Sequence, residues 1–281
     1  MVDKTLVLGG GGVTGIAWEI GMLTGLAERG VDLTDADLVV GTSAGSVVGV
    51  DVRSGASLAE LYEVQTRPPG DSEIYAKMGA GVLIRYLRAM AFTKKPEVAR
   101  ARVGAMALRA RTETEQARRK VIESRLPVFD WPDGLLKITA VEAVTGDFVV
   151  FDADSGVSLL DAVSASCAVP GIWPPVTISG RRYIDGGMRS AANADLAARS
   201  RSVVVIAPLA QGFGAIESLA SQAGRLRQQG TRIVVVTPDK AARQAIGRNV
   251  LDPAKRPAAA RSGHAQAASA AAAISAVWSG S

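Results

Sequence analysis

One serine in the sequence stands in the spacing that enzymes use for a nucleophile. The segment Gly41-Thr42-Ser43-Ala44-Gly45 has the G-x-S-x-G pattern, in which the serine occupies a strained turn between a strand and a helix, and glycines flank it because the backbones crowd there. A short apolar strand is predicted before the segment and a helix after it, which is the setting this motif requires. The other interpretation is a serine that only caps the helix.

A nucleophilic serine needs a base, and the sequence offers two candidates. The usual base is histidine, but the only one is His264, which follows the last predicted strand and precedes an alanine-rich helix. The second candidate is Asp185, which follows an apolar residue and precedes Gly186 and Gly187. This pattern predicts a carboxylate at a strand end beside closely approaching backbone, although an ordinary Asp-Gly turn has the same pattern.

A run of glycines near the N-terminus predicts an anion-binding loop. Gly9-Gly10-Gly11-Gly12-Val13-Thr14-Gly15 lies between a predicted strand and a predicted helix, where unpaired backbone N–H groups and the positive end of the helix dipole meet. Gly10, Gly12 and Gly15 also match the dinucleotide fingerprint, which needs an acidic residue at the end of the second strand. The second predicted strand ends in Gly41 instead. A nucleotide-binding oxidoreductase would therefore account for the glycine loop but not for Ser43 or Asp185.

The three segments together resemble a known family. The glycine loop, the serine turn and the late Asp-Gly-Gly, in this order and spacing, are similar to those of the patatin-like phospholipases, which are serine acyl hydrolases. Ala165-Ser166-Cys167-Ala168-Val169-Pro170, followed by Pro174-Pro175-Val176, also resembles the segment before the Asp-Gly-Gly in that family. The resemblance runs from about residue 4 to 210. It departs at Thr14, where the family usually has arginine or lysine.

The resemblance implies a Ser-Asp dyad and no cofactor or metal. Ser43 would be the nucleophile, Asp185 the base, and the backbone N–H groups of Gly10, Gly11 and Gly12 the oxyanion hole. Further glycines would shape the turns around them: Gly15, Gly41, Gly45, Gly186 and Gly187. The implied activity is that of a lipid acyl hydrolase of the phospholipase A, lysophospholipase or acylglycerol esterase type, acting through a Ser43 acyl-enzyme.

The elements that must position these residues alternate between strand and helix. Apolar runs predict buried strands at 5–8, 37–40, 203–206 and 233–236, and a strand pair at 135–144 and 148–151. Buried strands separated by helices indicate an α/β fold with three α/β/α layers and a mainly parallel central sheet, which the resemblance makes patatin-like. We expect a single domain over residues 1–281, with a helical insertion or cap at about 57–126 and an alanine-rich helical tail at about 253–281.

Composition excludes several classes of protein. The chain of 281 residues is 48% hydrophobic and 21% charged, which excludes intrinsic disorder. Its single cysteine, Cys167, excludes an internal disulfide framework and a cysteine-based zinc site. No apolar run reaches the roughly 18 residues of a membrane helix, so we expect a soluble, cytoplasmic protein.

The net charge of +5 is concentrated in residues 85–125, where twelve basic residues stand against four glutamates. This segment predicts either affinity for anionic headgroups and peripheral contact with an anionic membrane surface, or a solvated helix face with glutamate partners. A catalytically silent regulatory or nucleic-acid-binding protein is the remaining alternative. Because the segment has only two aromatics among its twelve basic residues and no helix-turn-helix pattern, we expect a lipid ester as substrate and no nucleic-acid partner.

Overall fold

The computed structural model describes residues 2–69, 75–91, 93, 95–211 and 216–279. Its strands are β1 (Lys4–Leu8), β2 (Leu38–Thr42), β3 (Leu135–Glu142), β4 (Phe148–Phe151), β5 (Val176–Ile178), β6 (Arg181–Asp185), β7 (Ser202–Ile206) and β8 (Arg232–Val236). Its helices are α1 (Gly12–Ala27), α2 (Ala44–Arg53), α3 (Leu58–Thr66), α4 (Ala80–Met90), α5 (Pro96–Leu108), α6 (Glu115–Glu123), α7 (Leu159–Ser166), α8 (Leu219–Gln228), α9 (Lys240–Ile246) and α10 (Arg256–Trp278).

These strands form one sheet in the order β5-β6-β3-β2-β1-β7-β8, with β4 also paired to β3. The strands from β3 to β8 along this order are parallel, whereas β4, β5 and β6 pair antiparallel. The predicted mainly parallel sheet is therefore confirmed. The antiparallel strands β5 and β6 were not predicted, because they are short and β6 begins with two arginines instead of an apolar run.

Alternate residues of the strands face two different helix layers. In β1, Leu6 and Leu8 belong to one core and Val7 to the other, as the period of two in a strand requires. The first core is shared with α1, α2, α7 and α10. The second face is covered by α8 at one end of the sheet and by α4 and α5 at the other. This is the three-layer α/β/α arrangement expected from the sequence.

Residues 57–126, predicted to be an insertion or cap, contain helices α3 to α6. Helix α3 packs through Leu58 and Leu61 against the first core, and α6 contributes Ile122 to it. Helices α4 and α5 pack on the opposite face of the sheet, through Tyr86 and Val103. This part of the chain therefore contributes to both helix layers.

Helix α10 lies against α1 at very short range. A Cβ atom on Gly21 would lie 2.1 Å from the Ala260 carbonyl oxygen, and one on Gly263 would lie 2.2 Å from the Trp18 carbonyl oxygen. Only glycine permits this approach, because any side chain would push the helices apart. The contact fixes α1, whose first residue ends the glycine loop. No helix in the ranges described above combines the length and the hydropathy needed to cross a bilayer.

Candidate active site

The turn between β2 and α2 holds Ser43 in a strained backbone conformation. Its φ is 53° and its ψ is −116°, a region that costs a residue other than glycine about 1–3 kcal/mol. The Ser43 N–H donates to Ser166 Oγ at 2.9 Å. The Ser43 carbonyl oxygen accepts from Ser46 Oγ at 2.6 Å and from Cys167 Sγ at 3.3 Å. These three hydrogen bonds hold the turn in place against its strain.

Both glycines of the serine motif are required by close backbone contacts. A Cβ on Gly45 would lie 2.2 Å from the Leu8 carbonyl oxygen, and one on Gly41 would lie 2.6 Å from the Gly45 carbonyl oxygen. Helix α2 thus begins directly against β1 and β2, and the sharp turn leaves Ser43 at the carboxyl edge of the sheet. Its residual exposure is 7%.

The sheet register brings Asp185 to the same level as Ser43. Thr42 pairs with Thr139 of β3, and Asp185 pairs with the next residue, Ala140. Both of these β3 residues also pair with β4, which occupies the other side of β3, so β2 and β6 lie on the same side. Because β6 runs antiparallel to β3, its C-terminal residue reaches this edge, and Asp185 lies within hydrogen-bonding reach of the Ser43 side chain. The structure therefore brings the two predicted catalytic side chains together.

The environment of Asp185 makes its carboxyl group more basic than an ordinary aspartate. The side chain is 3% exposed, and burial raises its pKa to about 6. Hydrogen bonds from Ser43 and from the Gly187 N–H, together with the positive charge of Arg118, limit this rise in the pKa. The Gly187 N–H donates at 2.7 Å. At neutral pH the group is mostly deprotonated but close to the range in which a general base works well.

The glycine loop lies beside Ser43, and its N–H groups differ in what they bond. A Cβ on Gly10 would lie 3.5 Å from the Ser43 Cβ. However, the Gly10 N–H donates to the Ala191 carbonyl oxygen at 2.7 Å, so the expectation that Gly10 supplies an oxyanion donor is wrong for this conformation. The N–H groups of Gly11 and Gly12 have no acceptor among the described residues. They remain the available donors.

Gly12 is the first residue of α1, and its φ of +60° favours glycine. The first N–H groups of a helix lack partners within the helix. Later amides of this loop region are already bonded, since the Thr14 N–H donates to the Val250 carbonyl oxygen at 3.2 Å and the Gly15 N–H to the Gly11 carbonyl oxygen at 2.8 Å. This leaves too few free amides for the pyrophosphate of a dinucleotide.

A small pocket opens onto Ser43 between the glycine loop, α2, α6 and the segment after α7. Its walls include Gly12, Ile16, Arg118, Val169, Trp173 and Leu251. The Arg118 guanidinium stacks on the Trp173 ring at 4.0 Å, a favourable cation–π geometry. The basic segment of the sequence thus places two cations, Arg118 and Arg125, in the wall of this pocket.

Asn193 connects the serine turn to the aspartate turn. No pattern in the sequence around it predicted this role. Its Nδ2 atom lies 3.1 Å from Thr42 Oγ1, 3.2 Å from Thr139 Oγ1 and 3.3 Å from the Gly186 carbonyl oxygen. The residue is completely buried and adopts a left-handed conformation with φ of 50°. It holds β2, β3 and the turn after Asp185 at one relative position.

The buried Glu19 side chain is hydrogen-bonded to the start of the glycine loop. Its Oε1 atom accepts a hydrogen bond from the Gly9 N–H at 2.9 Å, while Oε2 is buried and has no partner in the described part of the chain. Burial raises the Glu19 pKa well above its usual range, and the hydrogen bond from the Gly9 N–H opposes this rise. A lone glutamate within an apolar helix was the sequence signal for such a buried position.

His264 lies far from Ser43. Its Nε2 atom is 2.8 Å from Glu28 Oε2, and its ring stacks on Tyr62 with centroids 5.1 Å apart. Glu28 follows the last residue of α1, whereas Gly12 begins the helix beside Ser43, and a 16-residue helix is about 24 Å long. The histidine is therefore not available to the serine.

Cys167 supports the turn at Ser43 and is not positioned as a nucleophile. Burial raises the pKa of its thiol to about 11, so the reactive thiolate is scarce at neutral pH. Within the described ranges, no group of histidine, cysteine, aspartate or glutamate side chains is arranged to hold a metal ion.

Comparison with known proteins identifies the family of the chain. The family model of the patatin-like phospholipases matches residues 6–198, more than half of the chain. Among solved structures, VipD from Legionella pneumophila is similar with a TM-score of 0.49 and 13% identity, over 99% of this chain and 67% of that one. The type III effector protein ExoU is similar with a TM-score of 0.42 and 16% identity, over 97% of this chain and 53% of that one. This chain thus spans about two thirds and about half of their lengths. Because the family model covers most of its length, the chain belongs to the patatin-like phospholipase family, whose members are lipid hydrolases.

Proposed function

We propose that the protein hydrolyses carboxylic esters of lipids, with Ser43 as the nucleophile and Asp185 as the base. The observation that carries this proposal is the strained Ser43 turn beside a buried carboxylate. Next to it lie the N–H groups of Gly11 and Gly12, which have no acceptor in the described part of the chain. A nucleophile, a base and an oxyanion site are the three parts that acyl transfer requires.

In the first step, Asp185 accepts the proton of the Ser43 hydroxyl as Oγ attacks the ester carbonyl carbon. The carbonyl oxygen becomes an oxyanion, which accepts hydrogen bonds from the Gly11 and Gly12 N–H groups. Loss of one such donor typically costs about 2.7–4 kcal/mol of transition-state stabilisation. The tetrahedral intermediate then breaks its bond to the alcohol, which leaves with the proton from Asp185.

In the second step, water replaces the alcohol. Asp185 accepts a proton from the water as its oxygen attacks the acyl-enzyme, and the same N–H groups stabilise the second oxyanion. The bond to Ser43 Oγ breaks, the proton returns to Oγ, and the fatty acid leaves. The pKa of Asp185, raised to about 6 by burial, makes a carboxylate workable in a role that histidine usually fills.

The exposed face of α4 is our candidate for contact with an anionic membrane. Ile84 and Leu87 are 48% and 47% exposed, and Arg85 and Arg88 lie on the same face of the helix. Each basic residue near an anionic surface contributes about 1 kcal/mol. The opposite face of α4 is anchored by Tyr86, whose hydroxyl donates to the Pro170 carbonyl oxygen at 3.0 Å, next to residues that line the Ser43 pocket.

The hydrolase proposal is tested by measuring fatty acid release from lysophospholipid and monoacylglycerol micelles. The wild type should release fatty acid, and Ser43→Ala should lose at least a thousandfold in kcat. Ser269→Ala, an exposed serine on α10, is the matched control and should keep wild-type rates. Equal release by Ser43→Ala and the wild type would remove Ser43 from the mechanism.

The membrane proposal is tested by sedimentation with vesicles of phosphatidylglycerol or phosphatidylcholine. The wild type should bind the anionic vesicles and lose binding as salt increases. Ile84→Glu together with Leu87→Glu should weaken this binding about tenfold or more. Val144→Glu, which changes a 65% exposed valine elsewhere, should bind as the wild type does. Binding that ignores lipid charge and these substitutions would contradict the proposal.

A further inference from the structure

A second cavity, of about 190 Å³, shares a wall with the Ser43 pocket. Val13, Ile16 and Arg125 line both spaces. The cavity extends between α1, α2, α3 and the first turn of α10, and its remaining polar lining is Asp51, Gln65, Ser124 and Arg256. A water occupies roughly 30 Å³ in the liquid, so the space is large enough for a small polar group but not for a whole lipid.

Helix α2 connects the two spaces directly. Ser43 precedes the helix, and Val47 and Asp51 follow at intervals of four residues, which places them along one helix face. Val47 and Asp51 both line the second cavity. At 1.5 Å per residue, Asp51 lies about 12 Å from Ser43 along the helix axis. This is a span comparable to that of the glycerol and phosphate beyond an ester bond of a phospholipid.

Two polar groups in this cavity have no hydrogen-bond partner among the described residues. The Asp51 side chain is 3% exposed, and no hydrogen bond or ion pair reaches its carboxyl group from the part of the chain that the structure describes. The Oε1 atom of Gln65 is buried and likewise has no partner there. Buried polar groups in native proteins are nearly always paired, so such exceptions call for a ligand or water.

The chemistry of the lining indicates which ligand would pair them. Arg125 and Arg256 both line the cavity, and guanidinium groups match phosphate in shape and charge. Gln65 Oε1 is an acceptor and needs a donor from the ligand. Burial raises the pKa of Asp51 to about 8, so near neutral pH its carboxyl group can both donate and accept.

We propose that this cavity is a headgroup subsite, which binds a phosphate ester through Arg125 and Arg256 and a hydroxyl or ammonium donor of the same headgroup through Asp51 and Gln65. The proposal rests on the proposed function, because it assumes that the lipid ester lies at Ser43. It makes the protein selective for phospholipids whose headgroup carries a hydrogen-bond donor beyond the phosphate. Nothing in the reaction at Ser43 itself requires this selectivity.

The test is equilibrium binding of lysophospholipids to the Ser43→Ala protein, which cannot turn them over. Lysophosphatidylethanolamine and lysophosphatidylglycerol carry N–H or O–H donors at the end of the headgroup, whereas lysophosphatidylcholine of the same acyl chain has none there. We expect the first two to bind about tenfold more tightly than the choline lipid, the value of one buried hydrogen bond that would otherwise be lost. Monoacylglycerol, which lacks the phosphate, should bind more weakly than all three.

Substitutions then assign the preference to this cavity. Asp51→Leu should remove the tenfold preference while the choline lipid still binds, and Gln65→Leu should reduce it severalfold. Gln65→Leu is the second variant in case Asp51→Leu does not fold. Glu60→Leu removes an exposed carboxylate of α3 and should keep the preference. No preference in the Ser43→Ala protein, or an undiminished one in Asp51→Leu and Gln65→Leu, would overturn the subsite. Monoacylglycerol bound as tightly as the phospholipids would overturn its phosphate part.

These results are independent of those that test hydrolysis. If the wild type releases no fatty acid from any ester, the proposed function fails, whatever the binding preference. If the wild type hydrolyses esters but the Ser43→Ala protein does not distinguish headgroups, only the subsite fails.

Discussion

Two buried aspartates, Asp185 at the end of β6 and Asp51 in the last turn of α2, differ in their pKa because their partners differ. Asp185 and Asp51 are each 3% exposed, so both are removed from water to a similar degree. Asp185 has the Ser43 and Gly187 hydrogen bonds and the charge of Arg118, and its pKa rises only to about 6. Asp51 has only burial acting on it, and its pKa rises to about 8.

The difference shows how partners divide the roles of two similar groups. A carboxyl group with a pKa near 6 is largely ionised at neutral pH and can accept a proton from a hydroxyl. A carboxyl group with a pKa near 8 keeps its proton there, so it can both donate and accept a hydrogen bond. The first environment suits a base, and the second suits a binding site for a polar group such as a headgroup hydroxyl or ammonium.

The largest expected effect separates Asp185 from every other candidate base. Asp185→Asn should lower kcat for ester hydrolysis about 10³- to 10⁴-fold, because the amide cannot accept the Ser43 proton. His264→Ala is the control for the alternative base and should keep wild-type kcat, with a stability loss below about 1 kcal/mol from its half-exposed contact with Glu28. Steady-state kinetics on a soluble ester measures both. Loss of activity in His264→Ala would remove the dyad.

A second prediction uses Gly12, which lines the Ser43 pocket but not the Asp51 cavity. Gly12→Ala should lower kcat about 10²- to 10³-fold, because φ is +60° and the added Cβ would lie 2.5 Å from the Val250 carbonyl oxygen, which displaces an oxyanion donor. Gly224→Ala in α8 meets no atom within 4 Å and should be active and slightly more stable. Equal kinetics for the two variants would contradict the role of the loop.

A third prediction concerns stability and its pH dependence. The Asp51 pKa of about 8 lies above the value of about 3.9 for an unfolded chain, so the wild type loses stability as the pH rises from 4 to 8. The asparagine in Asp51→Asn cannot ionise. The free energy of unfolding of this variant should therefore exceed that of the wild type by about 2–4 kcal/mol at pH 8.5, and the two should differ little at pH 4.5. Chemical denaturation at both pH values measures this. A difference that does not change with pH would show that Asp51 is not held protonated.

The smallest expected effect is a shift of the pH profile when the charge of Arg118 is removed. Because a base must be deprotonated, kcat/KM should fall about tenfold per pH unit below the Asp185 pKa of about 6. Arg118→Met removes a charge that lowers this pKa, so the acid limb of the profile should move to higher pH. The neighbouring Arg119 pairs with Asp161 instead, and Arg119→Met should leave the limb unchanged. An unmoved limb in Arg118→Met would mean that its charge does not act on Asp185.

The sequence predicted the parallel strands and located the three segments of the candidate site because each depends on local patterns. Apolar runs mark buried strands, and glycines mark turns with close backbone contacts, such as Gly45 against Leu8. Strands β5 and β6 are short, lack an apolar run and were not predicted. The meeting of Ser43 with Asp185 depends on the pairing of β6 with β3, which only the family resemblance anticipated.

Features that depend on which groups find partners could not be predicted from the sequence. The Gly10 N–H is bonded to the carbonyl oxygen of Ala191, which is remote in sequence, so its loss as a donor has no local signal. Asn193 donates hydrogen bonds to three segments, but in the sequence it looks like an ordinary polar residue. Asp51 stands alone in an apolar stretch of α2, and only the folded structure reveals that nothing described pairs with it.

The central claim is that the Ser43 hydroxyl is activated by Asp185, and labelling with a fluorophosphonate probe tests it most directly, because the probe reports nucleophilicity without the natural substrate. Mass spectrometry should find the wild type modified at Ser43, Ser43→Ala unmodified, and Asp185→Asn modified at least a hundredfold more slowly. Labelling of Ser43→Ala at the wild-type rate, or of Asp185→Asn as fast as the wild type, would contradict the account.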